Sequence, residues 1–165
     1  MSDSKFDQER LTGSRTSASL EELMASVGKS LGASRWVLIS QASIDAFANL
    51  TNDHYFLHVD KARAALTPFG GTIAHGFMTL SLIATMAYDV CPTINGESTI
   101  LNYGFDKVRF ITPVPSGARV RANFTLSDAK LVGPGRTQLI YKVTVEIEGQ
   151  DRLALVANWI QLIVT

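Results

Sequence analysis

Between residues 118 and 126 polar and apolar side chains alternate: Val120, Ala122, Phe124 and Leu126 fall on one face, Arg119, Arg121, Asn123 and Thr125 on the other. Residues 137–147 repeat the pattern with Leu139, Tyr141, Val143, Val145 and Ile147. A period of two is the signature of a strand with one buried face. Residues 152–164 are apolar on both faces, as in a strand flanked by neighbours. Residues 99–110 read as a weaker strand interrupted by Gly104. Gly133-Pro134-Gly135 and Glu148-Gly149-Gln150 are turns between these runs.

The N-terminal half has a different rhythm. Ser19-Leu20-Glu21-Glu22 is a capping box, which predicts a short helix ending near Gly28. Residues 35–39 are rich in β-formers and read as a strand. Ser40 then caps a second helix, whose Ile44, Phe47 and Ala48 share one face. Residues 53–72 are irregular, with a helical turn expected after Asp60 and a loop marked by Pro68, Gly70 and Gly71. Residues 73–90 form a third helix, stopped by Pro92. Its Phe77, Met78, Leu80, Leu82, Ile83, Met86, Ala87 and Tyr88 leave it no polar face, so it is expected to be covered on every side. The class is α+β. A curved antiparallel sheet wrapped around one buried central helix satisfies both rhythms, although the pattern alone admits other α+β folds.

Composition narrows the picture. The chain has 165 residues, 46% hydrophobic and 18% charged, as in one globular domain. Residues 1–18 hold little apolar surface and are expected to be a flexible segment ahead of a single domain over residues 19–165. With 15 basic and 15 acidic residues the net charge is zero, so no nucleic-acid partner is expected. The apolar run from Phe77 to Val90 is too short to span a bilayer, no secretory signal is visible, and a single cysteine, Cys91, cannot form an intrachain disulfide. A cytoplasmic location is expected.

The chemistry concentrates between residues 47 and 82. Asp53 and His58 lie five residues apart in irregular chain after a helix end. They read either as a carboxylate and imidazole sharing a water, an acid–base pair, or as a turn cap and a satisfied histidine. Phe47, Phe56 and Phe69 are expected to bury Asp53. Thr72-Ile73-Ala74-His75-Gly76 opens the apolar helix. Unpaired N–H groups and the helix dipole there suit an oxyanion, and glycine permits close approach, so Gly76 is the candidate donor. The same residues would also suit a tight loop-to-helix junction. His75 is expected to support that loop by a hydrogen bond. His54 is expected to face solvent, and Trp36 and Trp159 to be core. Three histidines and Cys91 do not form a metal-ligand set, so no metal is expected. Lys107, Arg109, Arg119 and Arg121 read either as phosphate contacts or as an ordinary solvated strand face.

Three blocks taken together resemble the signature of MaoC-like dehydratases: residues 47–53 (FANLTND), 58–60 (HVD) and 68–76 (PFGGTIAHG). The branch that includes nodulation protein N is the nearest in pattern, and residues 101–110 (LNYGFDKVRF) are similar to it as well. The resemblance covers roughly residues 20–165. It implies a hotdog fold and a homodimer. It implies an enzyme that hydrates trans-2-enoyl thioesters to (3R)-3-hydroxyacyl thioesters, or dehydrates them. Asp53 and His58 would be catalytic and the Gly76 amide would form the oxyanion hole. The enzyme would hold no cofactor of its own, since the substrate carries coenzyme A or phosphopantetheine. Three departures stand out: Asn52 where the family commonly has glycine, no Asn-Pro between Asp53 and His58, and Ala84 where some members have a serine that orients the aspartate. Ser81, one turn earlier, is the candidate to replace that serine. A hotdog thioesterase and a non-catalytic acyl-thioester-binding protein are the alternatives.

Overall fold

A computed structural model describes residues 16–96 and 98–165. The expected flexible segment therefore lies largely outside the described residues; its end, Ser17–Ala18, forms β1. Helix α1, Leu20–Met24, starts at the capping box: Ser19 Oγ accepts from the Glu22 N–H while the Glu22 carboxylate accepts from the Ser19 N–H. Short strands β2 (Ser30–Ala33) and β3 (Val37–Leu38) follow. Ser40 caps α2, Gln41–Thr51, whose Ile44 and Ala48 are buried. Two brief helices, α3 (Phe56–Val59) and α4 (Lys61–Ala65), lead to the long helix α5, Gly76–Ala87. Asp60 caps α4 by accepting from the Arg63 N–H.

After β4 (Thr93–Ile94), which pairs with β1, come four long strands: β5 (Thr99–Phe110), β6 (Arg119–Gly133), β7 (Arg136–Ile147) and β8 (Leu155–Val164). They form an antiparallel sheet in the order β2-β6-β7-β8-β5, with β3 also on β6. The alternation read from sequence fixes its inner face: Val120, Ala122, Phe124 and Leu126 are wholly buried, as are Leu139, Tyr141, Val143, Val145 and Ile147 to within 2%. A one-residue slip would turn all of them to solvent. Burying each large apolar side chain stabilises by about 1.5–3 kcal/mol, which makes such a slip prohibitive.

Met78, Thr79, Ile83, Met86 and Ala87 of α5 are buried, most of them in the same core cluster as the sheet. The helix is not covered on every side, however. Phe77, Ser81, Thr85 and Tyr88 form an exposed stripe, with Phe77 69% exposed. Strand β5 lies beside that stripe at the sheet edge. Phe77 touches Phe110 at one end (ring centroids 5.8 Å apart), and Tyr88 and Ile100 border one cavity at the other. No described helix is long and apolar enough to cross a membrane.

Candidate active site

Two short segments cross beside the start of α5. Asn52 ends α2 in the left-handed conformation, φ 59°, and turns the chain so that Asp53 begins the first segment. Glycine adopts that conformation freely, and asparagine is among the few other residues that tolerate it. Asn52 thus keeps the turn that a glycine would supply. The segment ends in α3, which carries His58. The second segment, residues 72–75, runs into Gly76. The two are tied by the Ile73 N–H donating to the Leu57 carbonyl (3.0 Å). Gln41 of α2 braces both: its amide donates to the His58 carbonyl (2.8 Å) and accepts from the Thr72 hydroxyl (2.5 Å).

These ties fix the imidazoles. His58 Nδ1 lies 2.8 Å from the Ile73 carbonyl, which can only accept, so Nδ1 carries the proton and Nε2 is left with a free lone pair. His75 is 2% exposed, and its Nε2 lies 2.9 Å from the Asp53 carbonyl, so there Nε2 is the donor. The two rings stack with centroids 3.7 Å apart, and Phe47 packs on the other partner, His75, at 5.0 Å. The Asp53 carboxylate is held loosely, by a long bond from the Tyr55 N–H (3.4 Å) and a 4.0 Å approach to His75 Nε2. Its side chain is 54% exposed, so the expected burial under Phe47, Phe56 and Phe69 is corrected. Phe47 covers His75, and Phe69 is itself 47% exposed.

Asp53, His58 and His75 each bring one donor atom within 4.8 Å of the others. One water accepting and donating bonds of about 2.8 Å spans roughly 4.5 Å between its partners, so this spacing suits a shared solvent molecule. It suits a metal poorly. Imidazoles only 26° from parallel send their in-plane lone pairs side by side rather than to one point, and His75 Nε2 is already engaged.

A cavity of about 230 Å³ opens beside His58; Asp53 is not among the residues that line it. It is lined by His58, Gly76, Thr79, Phe110, Thr112 and Val114 among others, and is mainly apolar. Gly76 is the first residue of α5, so its N–H has no partner within the helix. A Cβ at this position would come within 3.0 Å of the Phe110 ring, so glycine lets the aromatic wall and the backbone lie together.

Other residues fall elsewhere. Ser81 sits on the exposed stripe of α5 and its hydroxyl donates to the Met78 carbonyl (2.8 Å). No hydrogen bond joins it to Asp53 among the described residues. His54 bonds Asn49 (2.9 Å) at the surface. Trp159 is core, but Trp36 is a correction: it lies half-buried under the Arg121 and Arg119 guanidinium groups, 4.6 and 6.0 Å from its ring centre. Those arginines pair with Glu146 and Glu148 as an outer strand face, while Lys107 and Arg109 lie exposed on β5. Gln41 and Thr72 were missed. A glutamine at the start of a helix carries no chemical signature, and only the fold brings it to residues 58 and 72.

A curved sheet packed on a long helix defines a hotdog protein, and the carboxylate and imidazole beside that helix's first amide are its candidate acid–base pair. Residues 22–148 match the family described as MaoC like domain, and the chain belongs to that family. It is 49% identical to nodulation protein N of Rhizobium leguminosarum bv. viciae over 88% of this chain and 91% of that one. It is 45% identical to 3-hydroxyacyl-thioester dehydratase Z of Mycobacterium tuberculosis, covering 87% of this chain and 95% of that one. Among solved structures, a monoamine oxidase regulatory protein from Archaeoglobus fulgius superposes with TM-score 0.78 at 26% identity, over 92% of this chain and 97% of that one. An (R)-hydratase from A. caviae superposes with TM-score 0.63 at 26% identity, over 82% and 94%.

Proposed function

We propose that this protein is a hydratase/dehydratase that reversibly adds water to trans-2-enoyl thioesters, giving (3R)-3-hydroxyacyl thioesters, with Asp53 and His58 as the acid–base pair. The observation that carries the reading is the 2.8 Å approach of His58 Nδ1 to the Ile73 carbonyl. The Nδ1 proton is committed to that carbonyl, so Nε2 is a lone pair at the border of the cavity. A second support is the relatives, whose names include a 3-hydroxyacyl-thioester dehydratase and an (R)-hydratase.

In this mechanism the thioester carbonyl accepts from the Gly76 N–H. Negative charge grows on that oxygen as the nucleophile adds, and a preorganised donor of this kind is worth about 3–4 kcal/mol in the transition state. A water lies between Asp53 and His58. His58 Nε2 takes one of its protons while the oxygen bonds to C3, and the Asp53 carboxyl delivers a proton to C2. The C2=C3 π pair becomes the new C2–H bond. The proton on His58 returns to Asp53 and resets the pair. Dehydration is the same path reversed. The substrate brings its own carrier, coenzyme A or the phosphopantetheine of a carrier protein, and the enzyme holds no further cofactor.

The functional unit is a homodimer. The support is the exposed apolar surface along β5 and the outer stripe of α5: Phe77, Tyr88, Ile100, Leu101, Tyr103 and Phe110. An uncovered edge strand of twelve residues with such side chains invites pairing with a second copy.

The test is hydration of a trans-2-enoyl-CoA, followed by loss of enoyl absorbance, with release of free thiol and the chirality of the product recorded in parallel. Asp53→Asn and His58→Gln should each slow hydration about 10²-fold or more while the fold survives. Wild-type rates in both variants would refute the assignment, and thiol release without enoyl loss would mark a thioesterase instead.

A further inference from the structure

His75 is an expensive residue to place where it is. A polar ring 2% exposed costs free energy unless its hydrogen bonds are made. Its Nε2 makes one, to the Asp53 carbonyl, twenty-two positions away in sequence. Its Nδ1 has no partner among the described residues. The ring also stands at the N-cap position of α5 and forms no capping bond, so the usual task of a polar side chain there is not the reason for it. An apolar ring would fill this space without the orphaned nitrogen. What only the imidazole supplies is the bond to Asp53, and it supplies this while lying between Phe47 of α2 and the catalytic-pair imidazole of His58.

We propose that His75 is the positioning residue of the acid–base pair: its Nε2–H holds the main chain of Asp53, its ring backs His58, and its place next to Gly76 ties both to the oxyanion amide. This rests on the hydratase reading above. Three groups from separate segments must keep one geometry around the reacting double bond. A displacement of about 1 Å can cost 10²-fold in rate without weakening binding. His75 touches no substrate in this scheme and acts through Asp53 and His58.

Two substitutions separate the bond from the packing. His75→Phe keeps the volume and the stack but removes the donor. His75→Gln replaces the donor with an amide of similar reach. In enoyl-CoA hydration, His75→Phe should lower kcat about 10- to 100-fold with KM changed less than about threefold, at an unchanged or raised Tm, since it also removes the unpartnered nitrogen. His75→Gln should recover most of the lost kcat. His75→Phe within twofold of wild type would overturn the proposal, as would His75→Gln as slow as His75→Phe. Asp53→Asn and His58→Gln, assayed beside them, report on the parent reading: if those two keep full activity, both readings fall. Imidazole ¹⁵N spectra of the wild type test the bond without turnover. An Nε2–H tautomer at His75 and an Nδ1–H tautomer at His58 are expected, and an Nδ1–H tautomer at His75 overturns the proposal whatever the rates.

Discussion

Asn52 shows how one backbone angle can decide where the side chain of the proposed acid–base aspartate goes. Its φ of 59° is left-handed, and it is the residue that turns the chain out of α2 into Asp53. A residue with a Cβ and no local hydrogen-bonding side chain pays about 1–2 kcal/mol for that conformation. Asn52→Ala should therefore destabilise by about that amount and slow hydration, because the strain is relieved by moving Asp53. Asn52→Gly should be at least as stable as the wild type and keep its activity. Thermal unfolding and the hydration assay together check this; equal behaviour of the two variants would show that the angle is not what matters. That Asp53, His58 and the His75-Gly76 step belong together was readable in the sequence, since they stand in recognisable blocks, and the structure brings the three side chains to one place. Their supports were not readable. That His58 Nδ1 points at the Ile73 carbonyl and His75 Nε2 at the Asp53 carbonyl depends on how two loops cross. Nothing in local spacing encodes that crossing.

At the scale of elements, the first helix is the clearest case of local sequence deciding local structure. The capping box at Ser19 and Glu22 forms as the pattern indicates. The Glu22 carboxyl is held below its ordinary value, first by the Ser19 backbone N–H and then by the Ser19 side chain. A carboxyl depressed in the folded state adds stability above its unfolded value of 4.5, and that stability is lost as pH falls from there through the lower folded value. Removing the carboxyl by Glu22→Gln should flatten this part of the acid-unfolding profile without changing the neutral fold. Ser19→Ala should cost about 1 kcal/mol at neutral pH by removing the cap itself. Denaturant titrations at pH 7 and pH 4 distinguish the two effects. Strands β6 and β7 were equally legible, because buried positions alternate along most of each, whereas β8 was read from its apolar residues on both faces and β5, with no buried residue, gave only a weak signal. Strands β1, β2 and β4 were not legible: at two to four residues each they are too short to show a period, and they exist because β6 offers a partner to β2 while β1 and β4 pair with each other. Trp36 was misread for a related reason. Strand β3 holds only two residues, so its neighbour falls on the outer face, where two arginines cover it.

At the scale of the molecule, the helix that reads as apolar all round in sequence is only partly covered by its own chain. The remaining stripe, with Phe77 69% and Tyr88 45% exposed, meets β5 at Phe110 and Ile100, and the same edge strand carries Tyr103, 65% exposed, and, on its other face, Leu101, 46% exposed. Apolar patterning on a helix and on the adjoining edge strand is satisfied together if a second copy lies across both. Phe77 and Phe110 stand at the end of this face nearest Gly76, so a partner there would also close the mouth of the cavity and exclude water from the developing oxyanion. A lysine on an edge strand opposes pairing by demanding hydration. Tyr103→Lys and Leu101→Lys should therefore convert a dimer into a monomer in sedimentation equilibrium, with the far-ultraviolet spectrum preserved, because neither side chain is in the core. Both should also raise KM for the enoyl thioester and lower kcat, although neither residue lines the cavity. Loss of the dimer with full activity would mean that one chain encloses its substrate unaided. A wild type that sediments as a monomer would remove the face from the mechanism and leave the apolar pattern of α5 without a partner to explain it.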